Sequence, residues 1–294
     1  MITSQTKHQK LAKTLGLEAP LYFKREDLHP LGSHKGRSIP HMIDTYLKQG
    51  KIDFVISSSG NAALAAGLYI KKYNRMHKNK LTLQIFVGEK IDKEKEKTLT
   101  KVLSKNITLI KSKNPKQSAF QIDKTGKAKI LRQSTDDIAL FGYKQLALEL
   151  SKIKNLSAIF IPTSSGTTAQ GLHAAFKKLK LNPQIHIVQT SACHPIAINF
   201  SPTRCYTTTK KSIAGAIVDN IAHRKEIVIA DIKNSHGFGW IADDQQIKDI
   251  IKLIEQTEKI KLSPNSALAV VGLTQAIKSN WRFDGPAVCL ITGK

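Results

Sequence analysis

Residues 54–73 read FVISSSGNAALAAGLYIKKY. A short β-rich apolar run passes through a small hydroxylated turn, residues 57–61 (SSSGN), into a stretch that is apolar nearly all round. That order predicts a buried strand leading directly into a buried helix. The first amides of a helix have no intrahelical acceptor, so with Ser58, Ser59, Gly60 and Asn61 they form a pocket for an anion such as a carboxylate. A capped strand-to-helix turn has the same composition, and this stretch alone does not separate the two.

Further along, 158–179 (AIFIPTSSGTTAQGLHAAFKKL) repeats the logic. An apolar strand runs into Ser164, Ser165, Gly166, Thr167 and Thr168, whose small side chains let backbone amides converge on a phosphate. No Gly-Lys-Ser/Thr follows and there is no GxGxxG, so neither nucleotide-binding fingerprint is present. Other strands are expected at 82–87, 107–111, 185–190 and 287–292. Helices are expected at 40–49, 62–73, 92–105, 141–152, 169–180, 245–256 and 265–278. Strands alternating with amphipathic helices predict an α/β fold of mostly parallel sheets flanked by helices. The Lys/Asn/Pro/Gly-rich piece 111–127 is the expected loop or boundary.

Composition narrows the class. At 294 residues the chain is about two domains long. With 41% apolar residues, 17 Gly and 10 Pro, collagen, wholesale disorder and a disulfide scaffold are excluded. Cys193, Cys205 and Cys289 have no CxxC pairing and read as buried free thiols; no metal site is expected from the histidine spacings. The apolar stretch 54–70 is interrupted by Ser57–Ser59 and Asn61, so no membrane span is expected. Residues 1–14 carry no apolar signal segment, and a cytoplasmic protein is the expectation. The net charge of +24 attracts polyanions non-specifically. Only seven of the 46 basic residues are Arg, however, and Lys spread through polar helices reads as solvated surface rather than specific nucleic-acid readout.

The weighting changes at 21–38, LYFKREDLHPLGSHKGRS. Lys35 stands in a Gly/Ser-rich turn before an expected helix, with Ser38 as its N-cap and Pro40 in its first turn. Arg25 and Arg37 flank it, an electropositive setting of the kind that Schiff-base chemistry uses. A lysine among 39 is ordinarily a solvated surface residue.

Taken together, these motifs resemble the pyridoxal-phosphate enzymes of fold type II. That group includes threonine synthase, serine and threonine dehydratases, cysteine synthase and the tryptophan synthase β subunit. The resemblance runs through most of the chain. It implies the two-domain tryptophan synthase β-like fold, with 1–44 and 136–294 as the large cofactor-binding domain and 45–135 as a smaller inserted one. The cofactor implied is pyridoxal 5'-phosphate on Lys35, with Asn61 beside its ring hydroxyl. Ser58–Asn61 would hold the substrate carboxylate, Ser164–Thr168 the cofactor phosphate, and Thr292 would face the pyridine nitrogen. An amino-acid substrate and a homodimer are the implied partners.

QTSACHP (189–195), SIAGAIVDN (212–220) and Pro264-Asn265-Ser266-Ala267 are similar to threonine synthase in particular. There are departures too. His34 stands where threonine synthases usually have Phe, Gly36 where they have Asp, and Ser263 where they often have Glu, while Ser164, Ser165 and Thr167 replace glycines of common phosphate cups. Three functions are therefore carried forward. They are a threonine synthase-like enzyme acting on O-phosphohomoserine, a serine/threonine dehydratase working by β-elimination, and a non-catalytic member whose basic surface binds polyanions.

Overall fold

The computed structural model describes residues 2–201 and 211–293. Its chain divides into two compact units, Met1–His29 with Tyr143–Lys294, and Pro30–Gly142. The first unit opens with β1 (Gln5–Lys7), α1 (Gln9–Leu15), β2 (Leu21–Arg25) and a 3-10 turn at Glu26–Leu28. The second holds α2 (Lys35–Lys48), β3 (Asp53–Ser57), α3 (Asn61–Met76), β4 (Thr82–Gly88) and α4 (Lys93–Thr100). It continues with β5 (Ile107–Ser112), α5 (Pro115–Lys124), β6 (Lys129–Ile130) and α6 (Ile138–Phe141). The chain then returns to the first unit with α7 (Lys144–Leu150), β7 (Ala158–Pro162), α8 (Thr167–Lys178) and β8 (Gln184–Thr190). A 3-10 turn at Ala197–Phe200, α9 (Lys225–Asn234), β9 (Gly239–Ala242), α10 (Asp244–Glu258), α11 (Pro264–Lys278) and β10 (Ala287–Ile291) complete it.

In the first unit six strands run in the order β1-β2-β10-β7-β8-β9, all parallel except the β1–β2 pair. Every residue of β7 and β10 is buried, as expected of central parallel strands covered on both faces. Winding reverses at β7: β8 and β9 are added on one side, while β10 returns to the other. In the second unit the all-parallel order is β5-β4-β3-β6, and winding reverses at β3. Ligands of open α/β sheets bind beyond the carboxyl ends of strands at such reversals. The hydroxylated turn 57–61 leaves β3 and the loop 163–166 leaves β7, so both occupy that position in their own sheets.

Three expectations are corrected. The piece 111–127 is no loop: it holds the end of β5 and all of α5, which starts on Pro115 and buries Ala119 among Val55, Phe86 and Ala128. Pro115 and Gly126, which read as loop residues, instead bound α5 at its first position and just beyond its end. The second unit is broader than the expected insert 45–135, because Ile39, Met42 and Ile43 of α2 share a core with Phe54, Ile56, Ala63 and Ala66. Finally, α2 starts at Lys35, not after Ser38. The Ser33 hydroxyl accepts the Lys35 amide at 3.3 Å, and Gly36 and Arg37 donate to the Ser33 and His34 carbonyls, so the first turn has already closed there. Ser38 is buried inside the helix, bonded to the amide of Gln133.

Cys193 and Cys289 are buried free thiols, while Cys205 lies outside the described residues. Among the described residues no helix is long and apolar enough to cross a membrane, and no group of three or more His, Cys, Asp or Glu is placed to hold a metal ion.

Candidate active site

The motif KRED (24–27) is consumed by the fold of the first unit. Lys24 is fully buried; its Nζ donates to Glu149 Oε2 at 2.5 Å and to the Thr3 carbonyl at 2.8 Å. Arg25 makes a two-pronged pair with Asp27, both contacts 2.8 Å, and those hydrogen bonds raise the guanidinium's affinity for its proton. These charges fix the exit of β2.

In the second unit Lys35 is half-buried at the first position of α2. Among the described residues its Nζ has no hydrogen-bond or ion-pair partner, so the amine is held by its stem alone. Three residues earlier Gly32 has φ +84°, and a Cβ there would lie 2.9 Å from Leu64 Cδ2 in the first turn of α3. The lysine turn and the Asn61 turn are thereby packed together. Ser58 Oγ accepts the Gly60 amide at 3.3 Å, and the first intrahelical bond runs from Leu64 to the Gly60 carbonyl. The amides of Asn61, Ala62 and Ala63 precede that bond and lack intrahelical acceptors. A Cβ built on Gly60 meets nothing within 4 Å, so the turn is open at that point.

In the first unit Gly166 is the N-cap of α8 with φ +88°. Its left-handed turn faces the amides of Thr167, Thr168 and Ala169 ahead of the first helical bond, Gln170 N to Gly166 O. Ser165 Oγ and Thr167 Oγ1 lie 3.0 Å apart beside them, and Thr168 Oγ1 donates to the Tyr143 hydroxyl at 3.1 Å. Ser164 is used differently: its Oγ accepts the amides of Val218 and Asp219, each at 3.2 Å. Thr292 is buried immediately after β10. The β10–β7 register pairs Cys289 with Phe160, so continuing it sets Thr292 level with Thr163.

The sequence marked 189–195 and 264–267 as similar to threonine synthase but did not reveal that they brace this loop. Gln189, fully buried at the end of β8, donates to the Ser164 carbonyl at 3.3 Å and accepts the amides of Ile196 and Ala197 at 2.9 and 2.8 Å. A Gln ending an apolar strand was the available signal. Arg224 is buried and donates to Gln170 Oε1 at 3.0 Å. Ser263 and Ser266 both donate to the Gly293 carbonyl at 2.6 Å, which ties the PNSA segment to the residue after Thr292. Ala216 N donates to Asn265 Oδ1 at 2.9 Å. Burial raises the Cys193 thiol's affinity for its proton, with the Asp219 charge adding to it, so Cys193 stays a neutral thiol.

A family described as pyridoxal-phosphate dependent enzyme matches residues 3–293. The chain belongs to that family. Its cofactor is pyridoxal 5'-phosphate, and its fold is that of the fold type II, tryptophan synthase β-like members. The threonine synthase of Methanosarcina acetivorans is 23% identical over 304 aligned positions, spanning 98% of this chain and 73% of that protein. A pyridoxal 5'-phosphate-dependent aspartate racemase superposes with a TM-score of 0.84 at 17% identity, covering 100% of this chain and 90% of its own. The L-serine ammonia-lyase of Rhizomucor miehei gives 0.81 at 17% identity, covering 100% and 93%. At these identities the two structures establish the fold.

The residues present fit the cofactor. The 163–168 loop carries no carboxylate and presents helix amides and hydroxyls, the donor set of a phosphate site. The second unit supplies a lysine amine without a partner among the described residues.

Proposed function

We propose that this enzyme is a lyase of the threonine synthase type, releasing phosphate from O-phosphohomoserine and adding water to give threonine. The observation that carries the reading is the similarity to the Methanosarcina threonine synthase, which spans nearly the whole chain. It is supported by the way the segments 189–195, 212–220 and 264–267 are knitted together by side-chain hydrogen bonds around the carboxyl ends of β7, β8 and β10.

On this reading Ser164–Thr168 would hold the cofactor phosphate, and Lys35, Asn61 and Thr292 would hold its aldehyde end, ring hydroxyl and ring nitrogen. Bound there, pyridoxal 5'-phosphate supplies an electron sink for charge developing at the substrate's α-carbon. The protein supplies orientation and proton transfer. The amides at the start of α3, with Ser58 and Ser59, dock the substrate carboxylate and fix which bond at the α-carbon is aligned for cleavage. Lys35 Nζ would be the base that takes the α-proton and the acid that returns one. Thr292 is a neutral hydroxyl, which does not hold a proton on the ring nitrogen as a carboxylate would, and this favours elimination over transamination. The amino-acid substrate is the small-molecule partner, and a homodimer is the assembly to be checked by sedimentation.

Turnover decides the reading. Holo-protein given O-phosphohomoserine should release threonine and phosphate in equal amounts, more weakly as salt is added. Ammonia and 2-oxobutyrate from threonine, without phosphate release, would instead establish a dehydratase. Borohydride reduction should leave the pyridoxyl group on Lys35, and Lys35→Ala should remove the absorbance of the lysine-linked cofactor. Recovery of the label on another lysine would overturn the assignment.

A further inference from the structure

Residues 212–219 form a strap in the first unit, and the amides of Ile213, Ala214, Ala216, Val218 and Asp219 all donate to side chains. Ile213 N donates to both Asp244 carboxylate oxygens at 3.2 Å, and Ala214 N donates to Ser212 Oγ at 3.1 Å. Ala216 N goes to Asn265, and Val218 N and Asp219 N go to Ser164 Oγ. Ile217 N donates to the Ala214 carbonyl, a backbone contact. Ala214 and Ile217 plug the core, but Val218 is 63% exposed. The far end of the strap is therefore held chiefly by one hydroxyl, and that hydroxyl belongs to the loop assigned to the cofactor phosphate.

Gln189 pins the Ser164 carbonyl, which fixes the residue's backbone. Both lone pairs of Oγ are occupied by the two strap amides, leaving its hydrogen as the group available to an oxyanion. We propose that Ser164 is a positioning residue that couples occupancy of the cofactor phosphate site to the seating of the strap 212–219. When Ser164 donates its proton to the phosphate, its oxygen becomes a better acceptor for the Val218 and Asp219 amides, because hydrogen bonds in series polarise one another. The strap is then seated in the loaded enzyme and frays in the empty one. Through Asn265 and Ser266 it continues to Gly293, beside Thr292. This inference rests on the phosphate-loop reading above and adds a linkage to it.

Hydrogen exchange of the Val218 and Asp219 amides tests it, in wild type, Ser164→Ala and Ser164→Thr, each alone and with pyridoxal 5'-phosphate, pyridoxal or inorganic phosphate. In wild type, pyridoxal 5'-phosphate should slow exchange there roughly fivefold or more, and inorganic phosphate should do so in part. Pyridoxal, lacking the phosphate, should not. Ser164→Ala should exchange fast with or without ligand, and Ser164→Thr, which keeps the hydroxyl, should regain the response. Equal protection by pyridoxal and its phosphate, or a cofactor response that persists in Ser164→Ala, overturns the linkage. The underlying reading fails separately, if Gly166→Val binds pyridoxal 5'-phosphate as tightly as wild type.

Discussion

Gly166→Ala adds one methyl group, and the surroundings define two independent costs for it. At φ +88° and ψ −7° an alanine is strained against its own carbonyl by about 1–2 kcal/mol. The new Cβ also lies 2.6 Å from Val228 Cγ2 and 3.4 Å from Ile196 Cδ1, both side chains fully buried, so neither can swing into solvent. Overpacking of that kind costs about 1–3 kcal/mol, and the two together about 2–5 kcal/mol. They are separable, because Val228→Ala relieves the overlap and leaves the backbone strain. A double-mutant cycle should therefore show a favourable coupling of about 1–3 kcal/mol. Equilibrium urea unfolding followed by tryptophan fluorescence suits the measurement: the only two tryptophans, Trp240 and Trp281, lie in the unit that carries Gly166. Absorbance titration with pyridoxal 5'-phosphate reads the cofactor affinity of the same variants, which should fall with Gly166→Ala. A stability change below about 0.5 kcal/mol, or additivity with Val228→Ala, would refute the packing argument.

Gly60→Ala should behave oppositely: with open space around its Cβ and φ −132°, stability should stay within about 0.5 kcal/mol of wild type, while the KM for the amino-acid substrate rises as the methyl group intrudes on the carboxylate turn. Unaltered steady-state kinetics would count against that turn. Lys24→Ala leaves Glu149 buried without its cation and should lower unfolding stability by about 3–5 kcal/mol; a loss under 1 kcal/mol in urea denaturation would show that the pair is not structural. His186, stacked on Phe160 and bonded to Trp240 and Gln184, has its pKa lowered by burial to about 3. The unfolded imidazole titrates near ~6.5, so between these values the unfolded chain binds the extra proton. Stability should then be fullest above ~6.5 and fall with pH below it, by at most about 1.4 kcal/mol per pH unit. Comparing urea midpoints of wild type and His186→Gln from pH 7 to pH 4 isolates this slope. Parallel pH profiles would exclude it.

Local pattern was enough for the central strands of both sheets and for the two turns that follow β3 and β7. Strands such as 158–162 and 287–291 are buried on both faces, so their side chains are apolar without interruption and announce themselves at short range. The family resemblance added residue roles that no single turn could carry. By contrast β2 (LYFKR) escaped because it ends in Lys24 and Arg25, and a fully buried lysine is intelligible only once Glu149, 125 positions away, is beside it. The four-residue β9 was too short to stand out, and the Pro and Gly that bound α5 carry the same signal as a loop.

The start of α2 was misplaced for a related reason. Ser38 has the composition of an N-cap, but its hydroxyl belongs to Gln133, while Ser33 takes the Lys35 amide. Ser164 is the sharpest case. Its place in a hydroxylated loop marks it as a phosphate-site residue, and nothing near it in sequence says that its oxygen also holds the amides of Val218 and Asp219. Hydrogen-bonding capacity is set by residue type and can be read from one sequence; the partner that fills it, 54 residues away here, is chosen by how the sheet brings distant loops together.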